Sequence, residues 1–532
     1  MFKQSITSRL TLTIGEEEFV VEGGNIKYCK LDLKIDGFNG EVGFFTSNEV
    51  KEDKLINSIV SPSLIKIELT LAQETFSKAE TAEKITLNAL VSERSLEEKQ
   101  YIDVEGNKVL YRYYVCQFMD PAQFVWLQHF PTSLYVKKSV EQAIKEQVTD
   151  LISLNIDWPE AESELPFVCL GLGALQISFY QFLLWYIQQN GAYLIYDYEK
   201  NEYKISNSKS EPKTEVMLAP TQIESAKVLL ARPTIQSTNL LNGDVNLAST
   251  DSLYQCNDVS VVNFDRLTID SIKQDAEHSK NKENRFLKPR NSELSLKLKE
   301  WPLQALEPGC KLTLKNPDWN ANMLSTNQSF RLYSSSIELC SLTPSPMEDL
   351  HQSHSSYECT IAHKAEELTD VHRERAPDLI KPITVQGEIV SEPGEEQDKT
   401  FQYKQDENTK QLFYRVKIPV WDDQEVLIRY KPNFMPPHFY FPLYKGTQVE
   451  LEISLFEARI TRVLDWGARV FLEQGNQGNH LIFGKNEQDE TRLKYDYQDD
   501  KPVLSLERIK DKDTELVQLE EGKIIFRTQE QD

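Results

Sequence analysis

From about residue 481 the chain repeats one small pattern. HLIFG, TRLKYDY, PVLSLERI, TELVQLE and KIIFRTQ are short segments in which apolar and polar residues roughly alternate, and acidic turns such as DYQDDKP and KDKD separate them. Alternation with a period of two is the mark of a strand with one face buried. Each of these strands therefore carries one apolar face, and the segment supplies no partner layer to cover it. A stretch of about 50 residues cannot enclose a stable core alone. Two readings fit the pattern: other copies of the chain supply the missing surface, which is the stronger, or the strands are a simple add-on hairpin sheet.

The rest of the chain is also mostly β. LTLTI, KYCKLDLKI, IKIELTL, KITLNALV and VLYRYYVCQF favour strands through residue 135. Two short helices interrupt them. Ser139 and Gln142 are spaced for a capping box, and Val140, Ile144, Val148 and Leu151 give a helical stripe, so a helix is expected near 139–151. In QISFYQFLLWYIQQNGAYLIYDY, residues 176–198, Ser178 can cap a second helix near 178–190. Phe179, Phe182, Leu183, Tyr186 and Ile187 form its stripe, Gly191 stops it, and a strand follows. VSVVNFDRLTID, RLYSSSIELC and ECTIAHKA read as strands separated by the polar stretches 273–293 and 341–358. Pro377 and Pro382 bracket a boundary. After it, TVQGEIV, LFYRVKIPV, EVLIRY and TQVELEISLFEARITRVLDW give about five strands, enough for a small barrel. Three regions are expected: 1–380, 381–475 and 476–532.

At 532 residues the chain is too long for one core. Its net charge of −24 repels a nucleic-acid backbone, and no basic stripe offsets it. Seven scattered cysteines without CxxC spacing read as free thiols in a reducing compartment. No run of about 18 apolar residues predicts a membrane span. The N-terminus, MFKQSITSRLTLTIGEEEF, has no apolar signal core. The residues give no GxSxG, HExxH, phosphate loop or dinucleotide glycine pattern. His351, His354, Cys359 and His363 form the only donor cluster. Their spacing matches no strong zinc motif, and an ordinary loop running into a strand is the plainer reading. His129 lies among aromatic residues and reads as packed, and His438 reads as a loop residue between prolines. No catalytic residue, metal ligand or cofactor is assigned.

The order of these parts, and several segments within them, resemble the phage tail hub and spike family, in particular the VgrG spike proteins of type VI secretion systems. Residues 111–148, YRYYVCQFMDPAQFVWLQHFPTSLYVKKSVEQAIKEQV, are similar to that family's hub segment, with Lys138, Ser139 and Val140 at its helix start. Residues 176–198 are similar to its helix–glycine–strand pattern, on which Gly191 and Tyr196 fall; Gln176 and Gln181 stand where the family has charged residues. Arg415, Val416, Lys417 and Ile418, the segment EVLIRY, and Gly446 through Ile453 echo three strands of the family's oligonucleotide-binding-type (OB-type) barrel. KPNFMPPHFYFPLYK and ITRVLDWG depart from the linking and closing segments of that barrel.

The resemblance implies a mainly β, multidomain fold: phage-tail-hub-like β domains with two short helices, a five-stranded OB-type barrel and a short C-terminal trimeric β-prism. It implies a structural protein, not an enzyme. The expected partners are two further copies of the chain, a hexameric inner tube protein, a PAAR-like tip protein, baseplate wedge proteins and separate effectors or adaptors, with no nucleic acid. The expected location is the bacterial cytoplasm during assembly, followed by outward translocation with the tube. The short run of serial strands is expected to be a structural spike rather than an effector, with any toxin expected to travel as a separate protein. Expected prism-core residues are Leu493, Tyr495, Leu504, Leu506, Leu519, Ile525 and Phe526. The alternatives are the hub of a phage tail or extracellular injection particle, and a metal-dependent hydrolase using the 351–363 cluster.

Overall fold

The structure is a computed structural model. It describes residues 2–46, 53–74, 82–208, 212, 214–230, 236–241, 246–248, 262–267, 293–314, 329–346, 352–367, 380–390, 403–405, 412–429, 443, 445–464, 477–486 and 488–530. The fold is mainly β and divides into two compact units. One comprises residues 1–130, 145–160 and 177–379; the other comprises 131–144, 161–176 and 380–532.

The first unit is built on a closed hydrogen-bonded circuit. Its strands are β1 (Phe2–Ile14), β2 (Ile26–Lys34), β3 (Gly37–Phe45), β4 (Ile65–Gln73), β5 (Ile85–Ile102), β6 (Lys108–Met119), β7 (Ser329–Ser341) and β8 (His354–Glu367). The circuit runs β7–β2–β3–β6–β5–β4–β1–β8, and β8 pairs back onto β7. Closure removes the edges that an open sheet would expose. Alternate residues point inward: Leu10 and Leu12 of β1, Leu31 and Leu33 of β2, Leu69 of β4 and Leu339 of β7 are wholly or almost wholly buried. The ends of β7 and β8 extend past the circuit, where they pair with Lys311–Leu314 and Glu293–Leu298.

The helix Phe179–Asn190 packs in this unit, and its ends match the sequence. The Ser178 hydroxyl accepts from the Gln181 amide at 3.3 Å, and the Gln181 side chain accepts from the Ser178 amide at 3.1 Å. Gly191 closes the helix at φ 78°, a left-handed turn that a glycine makes without a Cβ penalty. Phe179, Phe182, Leu183, Tyr186 and Ile187 are all buried. The earlier helix is shorter than its apolar spacing predicts. It spans Val140–Lys145, with the Ser139–Gln142 capping box formed. The chain then tightens into turns, with the Val148 amide bonded to the Lys145 carbonyl and the Ile152 amide to that of Thr149. Ile152 is buried in this arrangement and Leu151 is left exposed.

The second unit contains the barrel. Its strands are β9 (Ile383–Val390), β10 (Leu412–Ile418), β11 (Gln424–Arg429), β12 (Gln448–Ile453) and β13 (Ala458–Val463). They close in the order β9–β12–β13–β11–β10–β9, antiparallel except for the parallel contact between β11 and β13. This is the connectivity of a five-stranded OB-type barrel. Tyr414, Val416, Ile418, Ile428, Val449 and Leu451 fill it with no measurable exposure. Gly446 turns at φ 79° just before β12. Residues far upstream join this core. The hairpin Thr132–Lys138 with Leu165–Gly171 adds Leu134, Phe167 and Cys169 to it. It is held by the Cys169 amide on the Leu455 carbonyl at 2.9 Å and the Trp421 indole on the Thr132 carbonyl at 3.1 Å. Gly171 allows the approach, since a Cβ there would lie 2.8 Å from the Ile383 side chain.

Candidate functional site

The C-terminal strands form one five-stranded antiparallel meander: β14 (Gly478–Asn486), β15 (Asp489–Gln498), β16 (Lys501–Lys510), β17 (Asp513–Glu520) and β18 (Lys523–Gln529). Tight turns join them. Asp499 and Asp500 both adopt positive φ, 50° and 61°, as a two-residue hairpin turn matched to strand twist requires. Gly522 supplies the positive φ of 74° before β18.

Pairing register sorts the side chains onto two faces. Leu481, Leu493, Leu506, Val517 and Phe526 stand directly opposite one another in one row across all five strands. On the same face Tyr495, Leu504, Leu519 and Ile524 form a second row. The two rows make an apolar belt that runs perpendicular to the strands. It is two side chains wide, about 7 Å, and five strands long, about 19 Å from first to last.

The belt is open. Phe526 is 77% exposed and Ile524 64%, and Leu481, Leu506 and Leu519 are each more than 40% exposed. Seven large apolar side chains of the two rows, Leu481, Tyr495, Leu506, Val517, Leu519, Ile524 and Phe526, are each more than a third exposed side by side, and a contiguous apolar patch of this kind marks an interaction surface. Six of the seven residues expected at the prism core lie on this face: Leu493, Tyr495, Leu504, Leu506, Leu519 and Phe526. Ile525 does not. It stands opposite Gln518 on the other face, and Ile524 occupies the belt in its place. Leu481, Val517 and Ile524 belong to the belt and were not anticipated. The opposite face mixes Val503, Ile509 and Leu516 with Glu490, Arg492, Glu507 and Gln518, and Arg492 pairs with both Glu490 and Glu507.

The two long borders of the belt differ. On one side runs the row Phe483, Thr491, Arg508 and Glu515, in which Phe483 is exposed on β14 and Arg508 donates to Glu515 at 3.1 Å; beyond it Lys510 meets Asp489 at 3.5 Å. On the other side Tyr497 stands opposite Pro502, and its ring meets that of Tyr495 edge-on at 5.8 Å.

The histidine cluster of the sequence does not converge. His351 lies outside the described residues. His354, Cys359 and His363 lie along the single strand β8, and nine residues of strand span about 30 Å. The His354 Nδ1 lies 3.3 Å from a carboxylate oxygen of Glu74. Cys359 is buried opposite Leu339. His363 is buried with its Nδ1 hydrogen-bonded to Ser335, and burial pushes its imidazole down to about 4. Among the described residues no group of three or more His, Cys, Asp or Glu is arranged to hold a metal. His129 is hydrogen-bonded to Gln147 at 2.7 Å and packs against Phe179. His438 lies outside the described residues. A groove of about 900 Å³ on the outer side of β1, β4 and β5 is lined by Arg9, Thr11, Lys66, Glu68, Thr70 and Asn88. It is an open sheet surface carrying hydroxyls and both signs of charge.

No protein-family model and no curated protein matches the chain. Solved structures do. A chain of the lidless PdpA–VgrG complex superposes with a TM-score of 0.75 at 14% identity, covering 100% of this chain and 99% of that one. In the Francisella PdpA–VgrG complex the lidded form gives 0.75 at 15% identity, covering 99% and 80% of the two chains. The half-lidded form gives 0.75 at 16%, covering 99% and 88%. Side-chain identity this low leaves the backbone as what is shared, and in its backbone this chain has, from end to end, the fold of a PdpA–VgrG complex chain.

Proposed function

We propose that the chain is a non-enzymatic hub and spike subunit of a contractile injection machine of the type VI secretion kind, and that it works as a homotrimer. One observation carries this reading: the narrow apolar belt of β14–β18. A belt two side chains wide is poorly shaped for a broad flat interface. Three sheets arranged about a common axis bring only a strip of each close to that axis, and they bury it best when the strip runs along it. The strands would then lie across the axis and the three belts would form one shared core, a three-sided prism. The exposed apolar area requires such a cover, and three copies supply it without any other protein.

In this reading the first unit and the barrel form the hub on which the inner tube and baseplate wedges assemble. The prism is the stiff point that a tip protein caps and that is driven through a target membrane when the sheath contracts. The subunit is assembled in the bacterial cytoplasm and carried outward with the tube, and effectors travel as separate proteins. The fold shared with chains of the PdpA–VgrG complex supports the assignment.

The test is the native mass of the intact chain by sedimentation, beside a chain lacking residues 481–532. We expect the full chain at three times 61.5 kDa and the shortened chain as a folded monomer. An intact chain that stays monomeric up to high concentration, with the belt protected from solvent within one copy, would overturn the reading.

A further inference from the structure

We infer that the prism is fastened along its corners by Arg508 of one copy stacking on Tyr497 of the next. The inference rests on the threefold reading above. It follows from the unlike borders of the belt. When a threefold axis runs along the belt, rotation carries each sheet onto its neighbour, so every corner joins the left border of one sheet to the right border of the next. A cyclic assembly of this kind always brings unlike edges together. Here one border carries Arg508 and Lys510 on β16, with Phe483 two strands away on β14, and the other carries Tyr497 and Pro502. The corner therefore sets a guanidinium beside a phenol ring.

The pieces are shaped for that meeting. Arg508 is 58% exposed and is oriented by Glu515, which accepts from one terminal nitrogen and leaves the planar face of the guanidinium available. Tyr497 is 48% exposed and braced edge-on by Tyr495. Tyr497 lies on β15 and Arg508 on the neighbouring β16. Copies related by pure rotation sit at one height, so the two side chains are offset along the axis by one strand spacing, about 4.8 Å, which an extended arginine spans. Arginine is the cation suited to this, because its delocalised, weakly hydrated plane stacks on aromatic faces. The contact also disfavours an assembly in which one copy is reversed, since that would set tyrosine against tyrosine at one corner and cation against cation at another.

The experiment measures trimer dissociation of the full chain by sedimentation for wild type, Arg508→Ala, Tyr497→Ala, the double variant and Tyr497→Phe. Both positions are exposed within one chain, so far-ultraviolet dichroism and the melting of the dissociated chain should not change. A stacking contact of this kind is worth roughly five-fold, and three corners make each alanine variant weaken the trimer on the order of a hundred-fold. The double variant should be no weaker than either single one, and Tyr497→Phe should keep most of the affinity because the ring remains. If the wild type is a trimer and the alanine effects are absent or simply multiply, the corner contact is wrong and the prism stands. Loss with Tyr497→Phe as large as with Tyr497→Ala would also overturn stacking. A monomeric wild type overturns the threefold reading, and this contact with it.

Discussion

The barrel and the C-terminal sheet are written in the same code and reach opposite ends. In both, apolar residues alternate with polar ones along short antiparallel strands. In β10, Tyr414, Val416 and Ile418 point inward and have no measurable exposure. In β16, Leu504 and Leu506 take equivalent alternate positions, yet Leu506 is 45% exposed. The difference is closure. The parallel contact between β11 and β13 returns the barrel sheet onto itself, so its apolar face becomes an interior. Among the described residues the meander β14–β18 has no pairing between its first and last strands and stays an open sheet. Alternation thus specifies a face, and topology decides whether that face is enclosed by its own chain or left open.

The sharpest way to break this contrast is to damage each face in turn. Leu451→Ala in the barrel should lower unfolding stability by about 2–5 kcal/mol whether or not the chain is assembled. Leu506→Asp should abolish trimer formation and leave the melting of the dissociated chain almost unchanged. A large loss of monomer stability from Leu506→Asp would mean that the belt is already covered within one copy.

Acid supplies a second probe, directed at a closed core. His363 is buried and its folded pKa is depressed to about 4, below the 6.5 of an unfolded imidazole. The folded state therefore favours the neutral ring. Its contribution is complete above pH 6.5 and is lost as pH falls from there through 4, up to about 3 kcal/mol. His363→Leu should flatten the melting-temperature profile over that window, while the pH dependence of trimer dissociation should be unaffected by this residue. A profile unchanged by the substitution would remove His363 as its source.

Within the C-terminal sheet the two faces can be compared directly. Phe526→Ser should weaken association by about 2 kcal/mol per chain, the scale of one uncovered aromatic side chain, whereas Ile525→Ser should leave the native mass unchanged. Equal effects would contradict the register. The smallest change expected is at the helix cap. Ser178→Ala should cost about 1 kcal/mol of stability and nothing in assembly, as read by chemical denaturation and native mass.

What was legible in the sequence follows from the range of the interactions involved. The helix Phe179–Asn190 was readable from cap to glycine because all its signals are local. The helix after Ser139 was read too long. Val148 and Leu151 continue the helical spacing, but the chain turns after Lys145 and uses Ile152 instead. The belt was readable as a class of residue, not residue by residue. In KIIFR two isoleucines and a phenylalanine follow one another, so alternation fits either phase, and a slip of one residue exchanges the faces. Only the pairing of Leu519 with Ile524 fixes the phase. The histidine cluster was close in sequence and is spread out in space, since a strand carries its residues apart as fast as a chain can. The hairpin that adds Leu134, Phe167 and Cys169 to the barrel core left no local trace, because its partners lie more than two hundred residues away.

The narrowness of the belt has one more consequence. Each additional hairpin would lengthen the belt by two strand spacings, about 10 Å, while leaving its width as it is. A point built this way can grow in reach without growing in girth. In the threefold reading its length is then set by the number of hairpins in the meander, and the first unit and the barrel need not change to carry a longer one.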